Sequence, residues 1–484
     1  MSFAQKLKTE WLFNPKNDIL AGMTVAFALI PEAIAFSIIA GVNPMVGLYA
    51  SFCIAVIIAI AGGRPAMISA ATGAMALLMG SLVANYGLEY LFAATVVTGI
   101  IQVILGMLKV GRFITFIPHS VMTGFVNALA ILIFMAQLPH FAGESWIMYA
   151  IVAGTLAIIY ILPRFTKAVP SALVAIIVMT AVSIFAGLHT KTVGDMGNIS
   201  NTLPMFHLPA VPFTLETLMI VLPYAIPLAA VGILESLLTA TIVDEFTETK
   251  SNKNKEIRGQ GIANFITGFF GGMAGCAMIG QSVINVKSGA RGRLSTLVAG
   301  LFLLFLIIVL SDVVVRIPIA ALVGVMIMVS IGTFDWKSVS NIRKVPKNDY
   351  LVMVTTVLIV VFTHNLALGV AAGVILSAVI FGWKIGKLNS SIQFKENGTK
   401  VYGVSGQLFF ATMAHFVELF DYNGDPDSIE INFSASHVWD HSAVTAIAKA
   451  VLKYESLGKH VSIVGLNEES KLLIERVGLT APSH

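Results

Sequence analysis

The run ILAGMTVAFALIPEAIAFSIIA, residues 19–40, contains a single ionisable side chain, Glu32, directly after Pro31. About twenty consecutive apolar residues cross the hydrocarbon core of a bilayer as a helix. The run therefore reads as a membrane span, with a helix break expected at its Pro-Glu pair. Further apolar segments follow near 44–61, 66–85, 90–108, 117–137, 146–163, 168–188, 217–241, 259–275, 278–289, 296–311, 317–333, 350–363 and 366–385. Segments three and ten are short and rich in Gly, Ala and Ser, so hydropathy alone supports twelve to fourteen spans. The 484 residues are 57% apolar and 12% charged, with a mean hydropathy of +0.86, against about a quarter charged residues in soluble domains. Lipid is the main solvent of this chain.

Charge placement fixes the parity of the count. With an N-terminus inside, every even-numbered connection should be cytoplasmic and rich in Lys and Arg. Those connections hold Arg64; Lys109 and Arg112; Arg164 and Lys167; Lys250, Lys253, Lys255 and Arg258; Lys287, Arg291 and Arg293; and Lys337, Arg343, Lys344 and Lys347. The odd ones hold only Lys191 and Arg316. One span too many or too few would swap the sides midway, so an even count with both termini cytoplasmic is expected, in the plasma membrane of a bacterium. The N-terminal MSFAQKLKTEWLFNPKND is polar and amphipathic and lacks a cleavage pattern, so the first span is expected to stay. A formal charge of +4 is too small to suggest nucleic acid, and Cys53 and Cys276 sit in apolar segments with no sign of a disulfide framework.

Internal repetition points to two halves. Ile117-Pro118 precedes Gly124 and Ile317-Pro318 precedes Gly324, the glycine six residues after the proline in both, at the starts of segments five and twelve. Ile30-Pro31 in segment one and Ile226-Pro227 in segment eight form a second matched pair. Seven spans per copy, an odd number, make the two copies insert with opposite orientation, giving seven plus seven inverted repeats. After about residue 388 the pattern changes to strands and amphipathic helices of ordinary charge content, so residues 1–388 are expected to form the membrane domain and 389–484 a soluble α/β domain.

Transport sites lie near the bilayer midplane, where broken helices aim their ends at the substrate. The candidates are Ile68-Ser69-Ala70-Ala71-Thr72-Gly73-Ala74-Met75 and Gly275-Cys276-Ala277-Met278-Ile279-Gly280-Gln281-Ser282. Small residues there let backbone approach a ligand, and the N–H groups of a helix N-terminus attract an anion without any Lys or Arg. The same residues equally allow tight helix packing in lipid. A charge at the bilayer centre costs at least about 2.5 to 3.5 kcal/mol, so Glu235, within IPLAAVGILESLLTATIV (226–243), is the sharper signal. Thr239 lies one turn on, and the pair suits a proton or a sodium ion. Glu32 is the second such carboxylate. His119 and His364 lie near span ends, and the sequence offers no metal cluster, nucleophile with its base, or phosphate loop, so no enzyme and no cofactor beyond a coupling ion is expected.

The stretches PEAIAFSIIAGVNPMVGLYAS (31–51) and ILESLLTATIVDEFTETKSNKNKEIRGQGIANFITGFFGG (233–272) resemble the sulfate permease, or SulP, family of anion transporters, and the tail resembles a STAS domain. The resemblance implies fourteen spans as seven plus seven inverted repeats, a core domain moving against a gate domain, and a homodimer. It also implies an anion site between the ends of spans three and ten: Glu32 and Phe36, Thr72 and Gly73, and Gly280, Gln281 and Ser282. In bicarbonate transporters of the family an acidic residue and a Thr in span eight bind sodium; Glu235 and Thr239 match them, with Glu for Asp, and a Glu here is tied to proton coupling in other members. Two departures stand out. Gln281 occupies the place of an Arg found in many members, so the site lacks a fixed cation. In the tail, Asp440 is followed by His441 and Ser442 rather than directly by a phosphorylatable residue, which favours a structural or binding role there.

The reading is a secondary active transporter of a small anion of the sulfate, bicarbonate or dicarboxylate class, working by H⁺- or Na⁺-coupled symport and elevator-like alternating access. An uncharged nucleobase-like substrate and a passive anion channel are the alternatives.

Overall fold

The computed structural model describes residues 9–112, 117–166, 170–197 and 202–478. Lys167, the start of the seventh apolar segment and the first eight residues of the amphipathic N-terminus lie outside these. The chain divides into two compact units, Met1–Val374 and Ile375–His484.

The first unit is helical. Its elements are α1 (Pro15–Ile39), α2 (Pro44–Ala61), β1 (Ser69–Ala71), α3 (Gly73–Tyr86), α4 (Leu88–Met107), α5 (His119–Gln137), α6 (Trp146–Ile161), α7 (Ser171–Phe185) and α8 (Leu215–Thr247). There follow α9 (Lys253–Gly268), β2 (Gly275–Ala277), α10 (Ile279–Lys287), α11 (Arg293–Val314), α12 (Ile319–Thr333), α13 (Lys347–Thr363) and α14 (Leu366–Ile385), the last crossing the division between the units. Among the described residues, eight helices are long and apolar enough to cross a bilayer. The remainder of the fourteen apolar segments form shorter helices, α3 and α10 most notably, each preceded by a three-residue strand.

Packing sorts the helices into two groups. In one, α9 lies along α4 and α11 along α1 and α2, with α8 against α4; in the other, α5, α6, α7, α12 and α13 pack together, and α1 touches α12. A Cβ on Gly99 of α4 would strike the backbone of Gly261 and Phe265 on α9, and one on Gly261 would strike Gly99 and Val103. Glycine at both positions lets the two helix backbones touch, as small residues do in membrane bundles. Outward faces stay apolar, with Phe185 90%, Phe362 80% and Phe305 53% exposed, as lipid rather than water would allow.

One sequence expectation changes at this level. The break foreseen at Pro31 is absent: α1 runs through it, as α8 runs through Pro223 and Pro227. Membrane helices tolerate proline because neighbours and local adjustment satisfy the freed carbonyls. Pro118 and Pro318, by contrast, stop short of their helices and serve as N-caps of α5 and α12 with nearly equal φ of -64° and -66°.

The second unit contains a four-stranded sheet in the order β3 (Asn389–Phe394), β4 (Lys400–Leu408), β5 (Ser428–Val438), β6 (His460–Val464). The first pair is antiparallel and the others are parallel. Helices α15 (Met413–Glu418), α16 (His441–Ser456) and α17 (Glu468–Val477) accompany it. On α16, Ala443, Val444, Ile447, Ala450 and Tyr454 recur at helical spacing and bury against Tyr402, Ile431 and Phe433. Asp440 is the N-cap of α16: its Oδ1 accepts Ala443 N–H at 2.9 Å and its Oδ2 accepts Phe410 N–H at 2.8 Å, a structural use of the carboxylate.

Candidate functional site

β1 and β2 pair antiparallel, with Ser69 opposite Ala277, Ala70 opposite Cys276 and Ala71 opposite Gly275. Each strand feeds directly into a helix, β1 through Thr72 into α3 and β2 through Met278 into α10, and no side chain caps either helix. Two sets of opening N–H groups, each at the positive end of a helix dipole, therefore meet at one small sheet. The pairing is tight because Gly275 lies so close to Ala70 that a Cβ would overlap its carbonyl.

Around this centre the structure gathers most of the sequence candidates. Phe36, buried on α1, lies against Gly73: a Cβ at that glycine would sit 3.0 Å from the ring. Gln281, buried in the first turn of α10, hydrogen-bonds the half-buried Glu32 of α1. Gly280 is exposed, and a Cβ there would meet nothing within 4 Å, so the backbone of the first turn of α10 faces open space. Ser282 is committed elsewhere: its hydroxyl accepts Ile68 N–H at 2.9 Å and donates to the Ile68 carbonyl at 3.4 Å, fastening α10 to the segment before β1.

Glu235 is 8% exposed on α8 and accepts a hydrogen bond from Cys276 Sγ at 2.6 Å. The next residue, Ser236, accepts Ala277 N–H at 3.2 Å, so two consecutive residues of α8 hold β2. Cys276 Sγ also lies 3.1 Å from the Thr72 hydroxyl. With the thiol hydrogen directed at the carboxylate, Thr72 is the donor to sulfur, and a chain runs Thr72, Cys276, Glu235. Thr239, fully buried, turns its hydroxyl to its own helix and donates to the Glu235 main-chain carbonyl at 2.8 Å.

A buried amide network, unassigned from sequence, supports the site. Asn264 of α9 donates to the Gly275 carbonyl at 3.1 Å and to Gln102 Oε1 at 2.8 Å, and accepts Gly275 N–H at 2.9 Å; Gln260 donates to the same carbonyl at 3.0 Å. The signal is the i, i+4 amide pair Gln260 and Asn264 inside NKEIRGQGIAN, which puts two amides on one helix face. His119 stays at the start of α5, 3.3 Å from Thr123, and among the described residues no group of three His, Cys, Asp or Glu could hold a metal ion.

The sulfate permease family model matches residues 16–150 and 144–356, and the STAS domain model matches residues 392–482. The chain belongs to the sulfate permease family. A Bacillus subtilis (strain 168) protein named "Putative sulfate transporter YbaR" is 61% identical over 97% of this chain and 98% of its own length. The bicarbonate transporter BicA of Picosynechococcus sp. is 26% identical over 96% of this chain and 91% of its own. The solved transmembrane domain of a cyanobacterial bicarbonate transporter BicA superposes with a TM-score of 0.69 at 28% identity, over 76% of this chain and 99% of that one. The structure of SLC26A9 shares the fold at a TM-score of 0.83 and 18% identity, over 99% and 88%. As a sulfate permease family protein with a C-terminal STAS domain, the chain is a secondary transporter of a small anion across a membrane and not an enzyme.

Proposed function

We propose that the protein is a proton-coupled symporter that binds a small oxyanion between the N-termini of α3 and α10 and carries its coupling proton on Glu235. The observation that carries the reading is the chain Thr72, Cys276, Glu235, which joins the α8 carboxylate to the residue opening α3. Anionic Glu235 opposes a second negative charge at the adjoining helix ends, and protonation removes that opposition. Proton and anion then favour each other's binding, a reciprocal coupling between two sites. Glu32, Phe36, Thr72, Gly73, Gly280 and Gln281 would surround the anion, with Ser282 holding α10 in place.

The partners of Glu235 support a proton over Na⁺. A hard cation of this kind needs a shell of oxygens. Here a thiol occupies the carboxylate and the Thr239 hydroxyl is turned to the main chain, so few oxygens converge. Relatives named as sulfate and bicarbonate transporters support a small oxyanion as the substrate, and a dicarboxylate carries the same oxygen chemistry. Among the described residues, the eight long helices and six of the shorter ones suit fourteen spans in two inverted halves, the two packing groups suit a core rising against a gate in a homodimer, and a boundary near residue 388 leaves the STAS domain cytoplasmic.

The test is uptake in proteoliposomes of labelled sulfate, bicarbonate or a dicarboxylate under imposed H⁺ or Na⁺ gradients. The wild type should accumulate one of them with an inward H⁺ gradient, and Glu235→Gln, fixed in the neutral form, should lose accumulation while keeping exchange. Accumulation against the gradient by Glu235→Gln, or drive by Na⁺ alone, overturns the assignment.

A further inference from the structure

The end of the membrane unit that carries the Lys- and Arg-rich connections holds a cavity of about 690 Å³, separate in its residues from the β1/β2 centre. Its walls include Arg64, Lys250, Lys255, Arg291 and Arg293, one acid, Glu10, and the ring of Phe13. The framework is built from four chain segments that the sequence keeps apart. Glu256 of α9 accepts the N–H groups of Gly63 and Arg64 at 2.6 and 2.9 Å, and Asn252 N–H reaches the Gly63 carbonyl at 3.2 Å. Arg293 bonds the carbonyls of Ala59 and Gly62 at 3.0 and 2.9 Å and pairs with Glu10 at 2.6 Å. Asp18 holds the N–H groups of Arg291 and Gly292 at 2.9 and 3.1 Å.

The positive charge in this frame is only partly answered. Arg64 is 7% exposed; it pairs with Asp244 at 3.2 Å and bonds the hydroxyls of Thr249 and Thr247, yet its Nε is buried with no hydrogen-bond partner. Glu10 is spent on Arg293. Lys250 and Arg291 stand exposed at the cavity without an ion pair among the described residues; the guanidinium of Arg291 reaches only the carbonyls of Val286 and Ala290. The N-terminus of the 16-residue helix α9 lies at the same wall, where Asn252 Oδ1 caps Lys255 N–H at 2.9 Å and the positive end of the helix dipole remains. Guanidinium forks, ammonium groups and a helix N-terminus together match the oxygens of a phosphoryl group.

We infer that this cavity binds a phosphoryl oxyanion, supplied by the headgroup of an anionic phospholipid. The walls lie where α2 ends at Ala61 and α11 begins at Arg293, the depth at which headgroups sit, and clustered basic residues beside spans attract anionic lipid. Phe13, 70% exposed, puts apolar surface on the cavity wall, where a lipid needs it and a free phosphate does not. The inference concerns a site other than the transport centre and stands whether or not the coupling assignment does.

Native mass spectrometry of the full chain tests it, with phosphatidylglycerol, phosphatidylcholine and inorganic pyrophosphate as separate probes. Wild-type protein should retain phosphatidylglycerol over phosphatidylcholine, and Lys250→Gln combined with Arg291→Gln should weaken that retention about tenfold to thirtyfold, as expected for two basic groups near an anionic surface. Arg343→Gln combined with Lys344→Gln, exposed on another connection, should leave it unchanged. If the first pair fails to fold, Lys250→Gln alone should weaken retention about fivefold. Retention of pyrophosphate in place of lipid, lost in the same variants, keeps the site and names a soluble source. No selective retention of either probe, or equal loss in the control pair, overturns the site.

Discussion

Cys276 shows how one side chain can join two elements of the candidate site that the sequence leaves apart. Glu235 was legible because a carboxylate in an apolar run is costly, and the glycines at 73 and 280 because small residues cluster in two short segments. A cysteine in an apolar run looks like any small hydrophobe, and its contact with Glu235 depends on the register that sets Cys276 opposite Ala70. Removing the thiol leaves a buried acceptor without its donor, at about 1–3 kcal/mol. Cys276→Ala should therefore slow gradient-driven uptake about tenfold to a hundredfold and shift its pH profile, whereas Cys276→Ser, which still donates, should keep most of the rate. Equal behaviour of the two variants in proteoliposome uptake across a pH series would remove the thiol from the coupling chain. The same geometry explains two candidates that are otherwise engaged: Ser282 lies beside the segment before β1 and Thr239 one turn after Glu235, but their hydroxyls bond backbone carbonyls, a choice residue type does not reveal.

At the scale of elements, the long helices were readable from apolar length, and the two three-residue strands were not, since three residues carry no periodicity. Proline misled in α1, where lipid and neighbouring helices support a continuous helix through Pro31. The soluble strands and α16 followed from ordinary alternation and helical spacing, but the clamp across them did not. Asp425, buried in the connection before β5, accepts the Tyr402 hydroxyl at 2.9 and 2.8 Å and is also bound by Lys400 and the Tyr454 hydroxyl. Burial pushes this carboxyl up, but the hydrogen bonds from Lys400, Tyr454 and Tyr402, with the Lys400 charge, outweigh it and hold the group below its usual range. A carboxyl lowered in the folded state adds stability that is fully present above its unfolded value of about 3.9 and is lost as pH falls through the folded value. Asp425→Asn should cost about 2–4 kcal/mol by unpairing Lys400 and weakening two tyrosine bonds. Hydrogen exchange of β4 and β5 in the full chain should speed accordingly, and the acid loss of protection seen in the wild type below about pH 4 should flatten in the variant. Unchanged protection in Asp425→Asn would show the clamp to be energetically idle.

Over the whole molecule, the charged side chains mark two ends of the helical unit. Glu89 meets His207 at 2.8 Å and Glu144 meets Lys191 at 2.7 Å at the odd-numbered connections, while Arg64 with Asp244 and Arg293 with Glu10 gather at the even-numbered end. The imbalance of Lys and Arg between those ends predicts which faces the cytoplasm. Both native cysteines are buried, Cys53 at 5% and Cys276 at 0% exposure, so a membrane-impermeant maleimide reads introduced cysteines against a quiet background. Lys191 lies in the connection after α7 and is 70% exposed at its side chain, and Lys250 and Lys344 are exposed in connections of opposite parity. In intact cells Lys191→Cys should label and Lys250→Cys and Lys344→Cys should not, with all three labelling once the membrane is permeabilised. Labelling of Lys250→Cys from outside would invert the orientation, and different sides for Lys250→Cys and Lys344→Cys would mean that an odd number of spans separates them. The parity of the proposed fourteen-span arrangement, and with it the proposed opposed insertion of its two halves, rests on that comparison.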